Sequence, residues 1–252
     1  MHIDYPSFRV VPGLRSLWKE AFSDTDALLD AFFETAFSAR RCRCITEGDK
    51  VLAALYWFEG TCEGQRFAYL YAVATAASYR GRGLFSALLA DTRKALTAEG
   101  FDGILLVPET ESLGRMYEKF GFSPCTAVKS GEVRAVSEAV AFREIGPAEF
   151  ALLRREMLPV GSVIQEGETL AFLASQCHFW AGKNWLTVGQ IYEGKLVCQE
   201  FLGDRSALPG LLRALDLEQG TYRMPGTEAA FAYLLPLQPG CLRPQYFGLA
   251  LD

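Results

Sequence analysis

The residues best suited to chemistry lie where an apolar run breaks into a glycine loop. Tyr69-Leu70-Tyr71-Ala72-Val73-Ala74-Thr75 is aromatic and β-branched, the composition of a strand. Arg80-Gly81-Arg82-Gly83 follows, and a helical pattern starts at Leu84 and Phe85 and continues through Leu88, Leu89 and Leu96. A strand, a glycine loop and a helix start together bind anions. The first amides of a helix have no internal acceptor, the helix dipole adds partial positive charge, and glycine lets a phosphate approach the backbone. The chemistry expected at residues 80 to 86 is the holding of a phosphorylated ligand. The chain carries no G-x-x-x-x-G-K-[ST] loop and no clear Mg²⁺ carboxylate, which ranks a nucleotide-binding protein low.

The elements that must position this loop can be read on either side of it. Residues 12 to 39 carry Leu14, Leu17, Trp18 and Phe22, then Leu28, Leu29, Phe32, Phe33 and Phe37, at helical spacings. Ser23-Asp24 splits them into two helices, with Asp24 or Thr25 as the cap of the second. Arg41–Thr46 and Lys50–Glu59 read as strands joined by a tight turn at Glu47-Gly48-Asp49, and Phe67–Thr75 is the next strand. A helix over 84–98 ends at Gly100, Gly103–Pro108 is a short strand, and Glu111–Phe120 is a helix closed by Gly121. Ser123 to Phe142 adds one or two strands. This order predicts an α/β fold, a mixed α+β sheet between helices, over residues 1–142.

Near Arg143 the pattern restarts over residues 143–252, a second and smaller α+β domain. A helix is expected from Pro147 to Met157, then strands at Trp185–Tyr192, Leu196–Leu202 and Thr221–Met224, with a helix at Ser206–Leu215. Phe231–Leu235 and Gln245–Leu251 are expected as closing strands. Glu193-Gly194-Lys195-Leu196-Val197 echoes Glu47-Gly48-Asp49-Lys50-Val51, and Gly203-Asp204-Arg205-Ser206 echoes the phosphate loop without its glycine pair. Two origins fit these echoes, a degenerate second copy and an unrelated appendage.

Composition narrows the classes. Thirty acidic against twenty-five basic residues give a net charge of −5, which argues against a nucleic-acid partner. No stretch approaches the roughly 18 apolar residues of a membrane helix, and no secretion signal opens the sequence, so no membrane partner is expected. Seven cysteines, an odd number, fit reduced thiols in a cytoplasmic protein. Cys42-Arg43-Cys44 reads as packing on one strand face rather than a metal site. With only His2 and His178, metal binding and a Ser-His-Asp arrangement are poorly supplied. His178, beside Phe179-Trp180, is expected to be partly buried and satisfied.

Arg80-Gly81-Arg82-Gly83-Leu84-Phe85 resembles the Q/R-x-x-G-x-G/A motif of the GNAT superfamily, the acetyl-CoA-dependent N-acetyltransferases. Leu113-Gly114-Arg115-Met116-Tyr117-Glu118-Lys119-Phe120-Gly121-Phe122 resembles that family's A-x-x-x-Y-x-K-x-G-F signature, in the same order and context. Phe85 stands where Gly or Ala is usual, Glu111 where many members carry Asn, and Leu113 replaces Ala. The resemblance implies a GNAT-like acyl-CoA N-acyltransferase fold over 1–142, the second half being a shortened tandem copy. It implies acetyl-CoA as co-substrate, its pyrophosphate on the amides of Arg80 to Phe85 (Arg80, Gly81, Arg82, Gly83, Leu84, Phe85). The pantetheine arm would pair with the backbone of Ala72, Val73 and Ala74 as an added strand would. Tyr117 would protonate the leaving thiolate.

The implied reaction is direct attack of a primary amine, small molecule or peptide, on the thioester. It needs a neutral amine and a proton for the thiolate. A tyrosine, with an ordinary pKa near 10, is protonated at neutral pH and can supply it. Glu109 and Glu111 follow the strand Gly103–Pro108, where either could draw the amine proton through water; a helix-start charge or a solvated carboxylate fits them equally. Tyr69 and Tyr71 share one strand face, where they line the acceptor pocket or belong to the core. The alternative function is a GNAT-fold module that binds acyl-CoA without turnover. Oligomeric state is left open.

Overall fold

The computed structural model describes residues 1–251, which divide into two compact units. The first comprises Met1–Leu106, Thr110–Ser123 and Leu234–Leu242; the second takes Val107–Glu109, Pro124–Tyr233 and the chain from Arg243 on.

In the first unit the strands are β1 (His2–Asp4), β2 (Cys42–Glu47), β3 (Lys50–Cys62), β4 (Gln65–Thr75), β5 (Gly103–Leu106) and β6 (Ser123–Pro124). The helices are α1 (Val11–Phe22), α2 (Asp26–Thr35), α3 (Leu84–Ala98) and α4 (Glu111–Glu118). Pro12 in the first turn of α1 carries no amide to leave unpaired, and Ser23 closes the helix at φ 59°. Thr25, as expected, caps α2, its side chain accepting from the Leu28 amide at 3.2 Å. Trp18 on α1 lies 4.6 Å from Phe32 on α2 and 5.2 Å from Tyr56 on β3, ring centre to ring centre, so an aromatic layer binds both helices to the sheet. Strands β1 to β4 are antiparallel neighbours, and β5 runs parallel to β4 through the crossover helix α3. Cys42 and Cys44 are buried among these strands, and burial raises both thiols, Cys44 to about 11, so they are inert packing groups.

In the second unit the strands are β7 (Ala127–Arg134), β8 (Arg143–Glu144), β9 (Ile164–Gln165), β10 (His178–Ala181), β11 (Trp185–Tyr192), β12 (Lys195–Gly203), β13 (Gln219–Pro225) and β14 (Ala229–Ala230). Helices α5 (Pro147–Met157), α6 (Glu168–Ala174) and α7 (Leu208–Ala214) stand between them, and a last strand, β15 (Tyr233–Pro236), follows. The two sheets read β1-β2-β3-β4-β5-β15-β6 and β8-β10-β11-β12-β13-β7-β14. Position by position these are one topology. Each has a short edge strand, an antiparallel trio, and a parallel strand reached through a helix. Chain order is interchanged at one place: Ala127–Arg134 joins the second sheet and Tyr233–Pro236 the first. The second unit thus repeats the strand order of the first, as the sequence echoes suggest.

Three expectations need correction. Gln245–Leu251 is not a strand. Its buried residues Tyr246, Phe247, Leu249 and Ala250 are held by bonds from the Gln245 amide to Gly161 and the Val163 amide to Tyr246, and by the Gln165 side chain, which bonds both backbone groups of Leu249. A side chain here takes the place of a neighbouring strand. Helix α6 and strand β10 exist where no element was expected. His178 is exposed rather than partly buried, with its Nδ1 2.6 Å from Glu144 and its ring stacked on Trp180. Trp180 and Trp185 are core residues, packed with Phe201, Leu208 and Leu211.

Two packing features give stability predictions. A Cβ on Gly103 would lie 2.8 Å from Leu234 Cδ1 and 3.0 Å from the Phe67 ring, so the strands approach there only because the residue is glycine. Gly103→Ala is expected to cost about 1–2 kcal/mol, read as a lowered denaturation midpoint. In the second unit, buried Arg154 grips buried Glu200 through bonds of 2.6 and 3.0 Å. Glu200→Ala strands a buried cation and is expected to cost about 3–5 kcal/mol, whereas the apolar pair Arg154→Met/Glu200→Leu costs less than that single change.

Candidate functional site

The site begins as a defect in the ladder. On one edge of β4 the register passes from Tyr56–Tyr71 to Ala54–Ala74, so Ala72 and Val73 together face Leu55 alone. This is a β-bulge, and Ala72 sits in it at φ 48°. On the other edge, β4 pairs with β5 at Phe67–Gly103, Ala68–Ile104 and Tyr69–Leu105. Beyond Tyr69 no ladder pairing to β5 continues among the described residues. Ala72 to Ala74, re-aimed by the bulge, therefore lie on β4 beyond its last residue paired to β5. An extended ligand with amides of its own can add there as a strand adds.

The loop that follows is built to leave amides free. Ala77–Tyr79 forms a single 3-10 turn closed by the Tyr79 amide on the Ala76 carbonyl at 2.8 Å. Glu20 of α1 accepts from the Ala77 amide at 2.6 Å, which fixes the start of the turn. Gly81 and Gly83 then adopt φ 75° and 76°, the left-handed region that non-glycine residues rarely occupy. Helix α3 starts at Leu84 with no side-chain cap at Gly83, and its first internal bond is donated by Ala87. Among the described residues the amides of Gly81 to Ser86 have no internal acceptor. Buried Leu84, Leu88, Leu89, Thr92 and Leu96 anchor the helix beneath them.

Phe85 is turned away from this cradle. Its ring packs edge-on against Phe120 at 4.9 Å and Tyr117 at 5.8 Å. The side chain that departs from the family pattern thus fastens the start of α3 to α4, while its own amide has no internal acceptor. The arginines are partly committed: Arg80 Nε donates to the Thr75 carbonyl at 3.1 Å, and the Arg82 guanidinium lies 4.9 Å from the centre of the Tyr79 ring.

Tyr117 lies on α4, whose first turn Thr110 caps by accepting from the Leu113 amide at 3.2 Å. Its ring is enclosed by Phe85 and by Phe122 at 5.6 Å. Its hydroxyl has no hydrogen-bond partner among the described residues. Burial pushes its pKa to about 12, so the phenol is neutral at any working pH. Glu111 is placed differently. It is 94% exposed, pairs with Arg115 one turn on at 3.4 Å, and stands six residues from Tyr117, about 240° around the helix. Glu111 is therefore not on the tyrosine's face of the helix. Glu109 is exposed in the 107–109 stretch that groups with the second unit.

Tyr71 and Tyr69 do share a face, opposite Tyr56 and Phe58 of β3. Tyr69 is 5% exposed and belongs to the core. Tyr71 is half-buried, 5.5 Å from both Trp18 and Phe58, at the rim of the aromatic layer. Nothing local marks Glu20 as a support of the loop, because it acts on an amide 57 residues away. Among the described residues no cluster of His, Cys, Asp and Glu could hold a metal ion.

Residues 9–125 match a family model described as an acetyltransferase (GNAT) domain. This segment, 117 of the 252 residues, resembles a GNAT domain. The loop, the bulged strand and Tyr117 all fall inside it. The chain is similar in structure to a GCN5-related N-acetyltransferase from Kribbella flavida, with a TM-score of 0.69 and 16% identity over 94% of this chain and 72% of that one. The corresponding protein from Anabaena variabilis gives 0.70 and 15%, over 94% and 73%. A tandem GNAT protein from the clavulanic acid biosynthesis pathway gives 0.58 and 11%, over 95% and 100%. At such identities the likeness establishes the fold, in both halves of the chain. No curated protein matches the sequence. No helix among the described residues is long and apolar enough to cross a membrane.

The GNAT loop gives a prediction that separates shape from clash. A Cβ at Gly83 meets nothing within 4 Å, so Gly83→Ala is opposed by backbone conformation alone. It is expected to cost about 1–2 kcal/mol in chemical denaturation, with the native circular dichroism spectrum kept.

Proposed function

We propose that the first unit is an N-acetyltransferase, taking an acetyl group from acetyl-CoA and passing it to a primary amine by direct attack. The observation that carries this reading is the free amides at Gly81 to Ser86, which follow the part of β4 that lies beyond its pairing with β5. One end of the site suits a pyrophosphate, and β4 at Ala72 to Ala74 suits an extended arm bearing amides. In this reading the backbone N–H groups at the bulge, Ala72 and Val73, serve the thioester oxygen as charge develops on it.

In the reaction the amine nitrogen bonds to the acyl carbon, the carbon–sulfur bond breaks, and the proton the amine loses balances the leaving thiolate. Tyr117 acts on that sulfur. A phenol with a pKa near 12 is a weaker acid than a thiol near 8.5 by about 3.5 units, so full transfer from resting Tyr117 costs about 5 kcal/mol. Its role is therefore to hold its proton and donate a strong hydrogen bond to the developing thiolate, with the amine as the final proton source. With Glu109 and Glu111 exposed, water carries the amine proton away. The acceptor is a small molecule or a peptide amine, with Tyr71 at its subsite. The seven free cysteines suit a cytoplasmic protein.

The second reading, a GNAT module that binds acyl-CoA without turnover, is favoured by the exposure of Glu109 and Glu111. Turnover separates the two. With acetyl-CoA and a panel of primary amines, release of free thiol is expected, and Tyr117→Phe is expected to lower kcat roughly 10- to 100-fold with acetyl-CoA affinity unchanged. Binding with no thiol release from any amine would favour the binding module. With the Tyr117 phenol raised by burial to about 12, no alkaline loss of kcat/KM below about pH 10 should disappear in Tyr117→Phe.

A further inference from the structure

Beside the loop lies a cation that neither the GNAT motif nor the reading above uses. Lys50 opens β3, immediately after the turn at Glu47-Gly48-Asp49, and is exposed. Its Nζ lies 4.8 Å from the centre of the Tyr79 ring and 3.5 Å from the Tyr79 hydroxyl. Arg82 meets the same ring at 4.9 Å. Two cations from separate elements therefore converge on one aromatic side chain at the entry to the loop. Among the described residues neither makes an ion pair with a carboxylate, although Asp49 precedes Lys50 and Glu47 is its ladder neighbour. Cations on a shared ring gain from its face but repel one another, an arrangement completed by an anion placed between them.

Coenzyme A carries two anionic groupings. The pyrophosphate is matched by the free amides of Gly81 to Ser86 and by the helix dipole, which need no side-chain charge. The phosphomonoester on the ribose 3′-oxygen, with a charge of about −1.5 to −2 at neutral pH, needs cations of its own. We infer that Lys50 and Arg82, gathered on Tyr79, receive the 3′-phosphate, so that this chain distinguishes coenzyme A from its 3′-dephospho form. The inference rests on the acyl-CoA reading and adds to it a specificity determinant on the β2–β3 turn.

Calorimetric titration of the full chain with coenzyme A and with 3′-dephospho-coenzyme A tests it. Wild type is expected to bind coenzyme A the more tightly, by roughly tenfold. Lys50→Met should lose roughly three- to tenfold for coenzyme A, leave the dephospho form within about twofold, and be restored by Lys50→Arg. Lys50 is exposed, so its variants keep the wild-type melting temperature. Equal loss for both ligands in Lys50→Met, or no loss for either, would overturn the inference. So would equal binding of the two forms by wild type, which leaves the acyl-CoA reading standing. Wild type that binds neither form overturns that reading, and this inference with it.

Discussion

Two parallel strands that pair over three residues and then part set the terms for the rest of the first unit. Backbone N–H and C=O groups that lose a strand neighbour must find other partners, so the part of β4 beyond its pairing with β5 is where an added strand or extended ligand would fit. The surroundings hold that part in place. Gly103 lets β4 and β5 meet closely at their paired end, the aromatic layer of Trp18, Phe32 and Tyr56 fixes one face of the sheet, and α3 is anchored by a row of buried leucines. Glu20 pins the turn that leads from the strand to the free amides of the loop. Phe85 then ties the start of α3 to the helix that carries Tyr117. The loop at the start of α3 and Tyr117 on α4 are thus joined by an aromatic contact.

The second unit shows what the same topology becomes when its groups are satisfied from within. Strand β12 is also bulged, at Gln199, and also pairs in parallel with the strand that follows its helix. There, however, Arg223 Nε donates to the Gln199 carbonyl at 2.9 Å, so the bulge carbonyl already has a partner. Between β12 and α7 the glycine pair is replaced by Asp204, whose side chain accepts from the Ser206 amide at 2.9 Å. The Ser206 hydroxyl, and then this amide, hold the Asp204 carboxyl below the usual carboxylate range. An internal carboxylate at a helix start takes the place an external phosphate would need. Fold and site are separable: the units share strand order and bulge, and differ in whether the polar groups at the loop find partners inside the protein.

Much of this was legible in the sequence where the signal is local. The period of Leu84, Leu88, Leu89 and Leu96 and the glycines on either side set α3 at 84–98, and Pro147 starts α5. The bulge at Ala72 and the parting of β4 from β5 were not legible as geometry, because both arise from pairing between distant segments. The interchange of Ala127–Arg134 and Tyr233–Pro236 was hidden for the same reason, since an edge strand reads alike in either sheet. Gln245–Leu251 misled because an apolar run fits a strand equally well when a side chain such as Gln165 supplies the hydrogen bonds. Glu111 is exposed and pairs with Arg115 one turn on, a contact its helical spacing makes legible.

The central claim is that an acyl-CoA lies along the β4 edge with its pyrophosphate on the loop. Backbone amide hydrogen exchange with and without acetyl-CoA measures this directly, because the claim is about amides. Protection is expected in peptides covering Leu70 to Thr75 and Gly81 to Ser86, with the amides of β12 and the start of α7 unchanged. Bound acetyl-CoA that left residues 70 to 86 exchanging as before, or protected the second unit instead, would contradict the account.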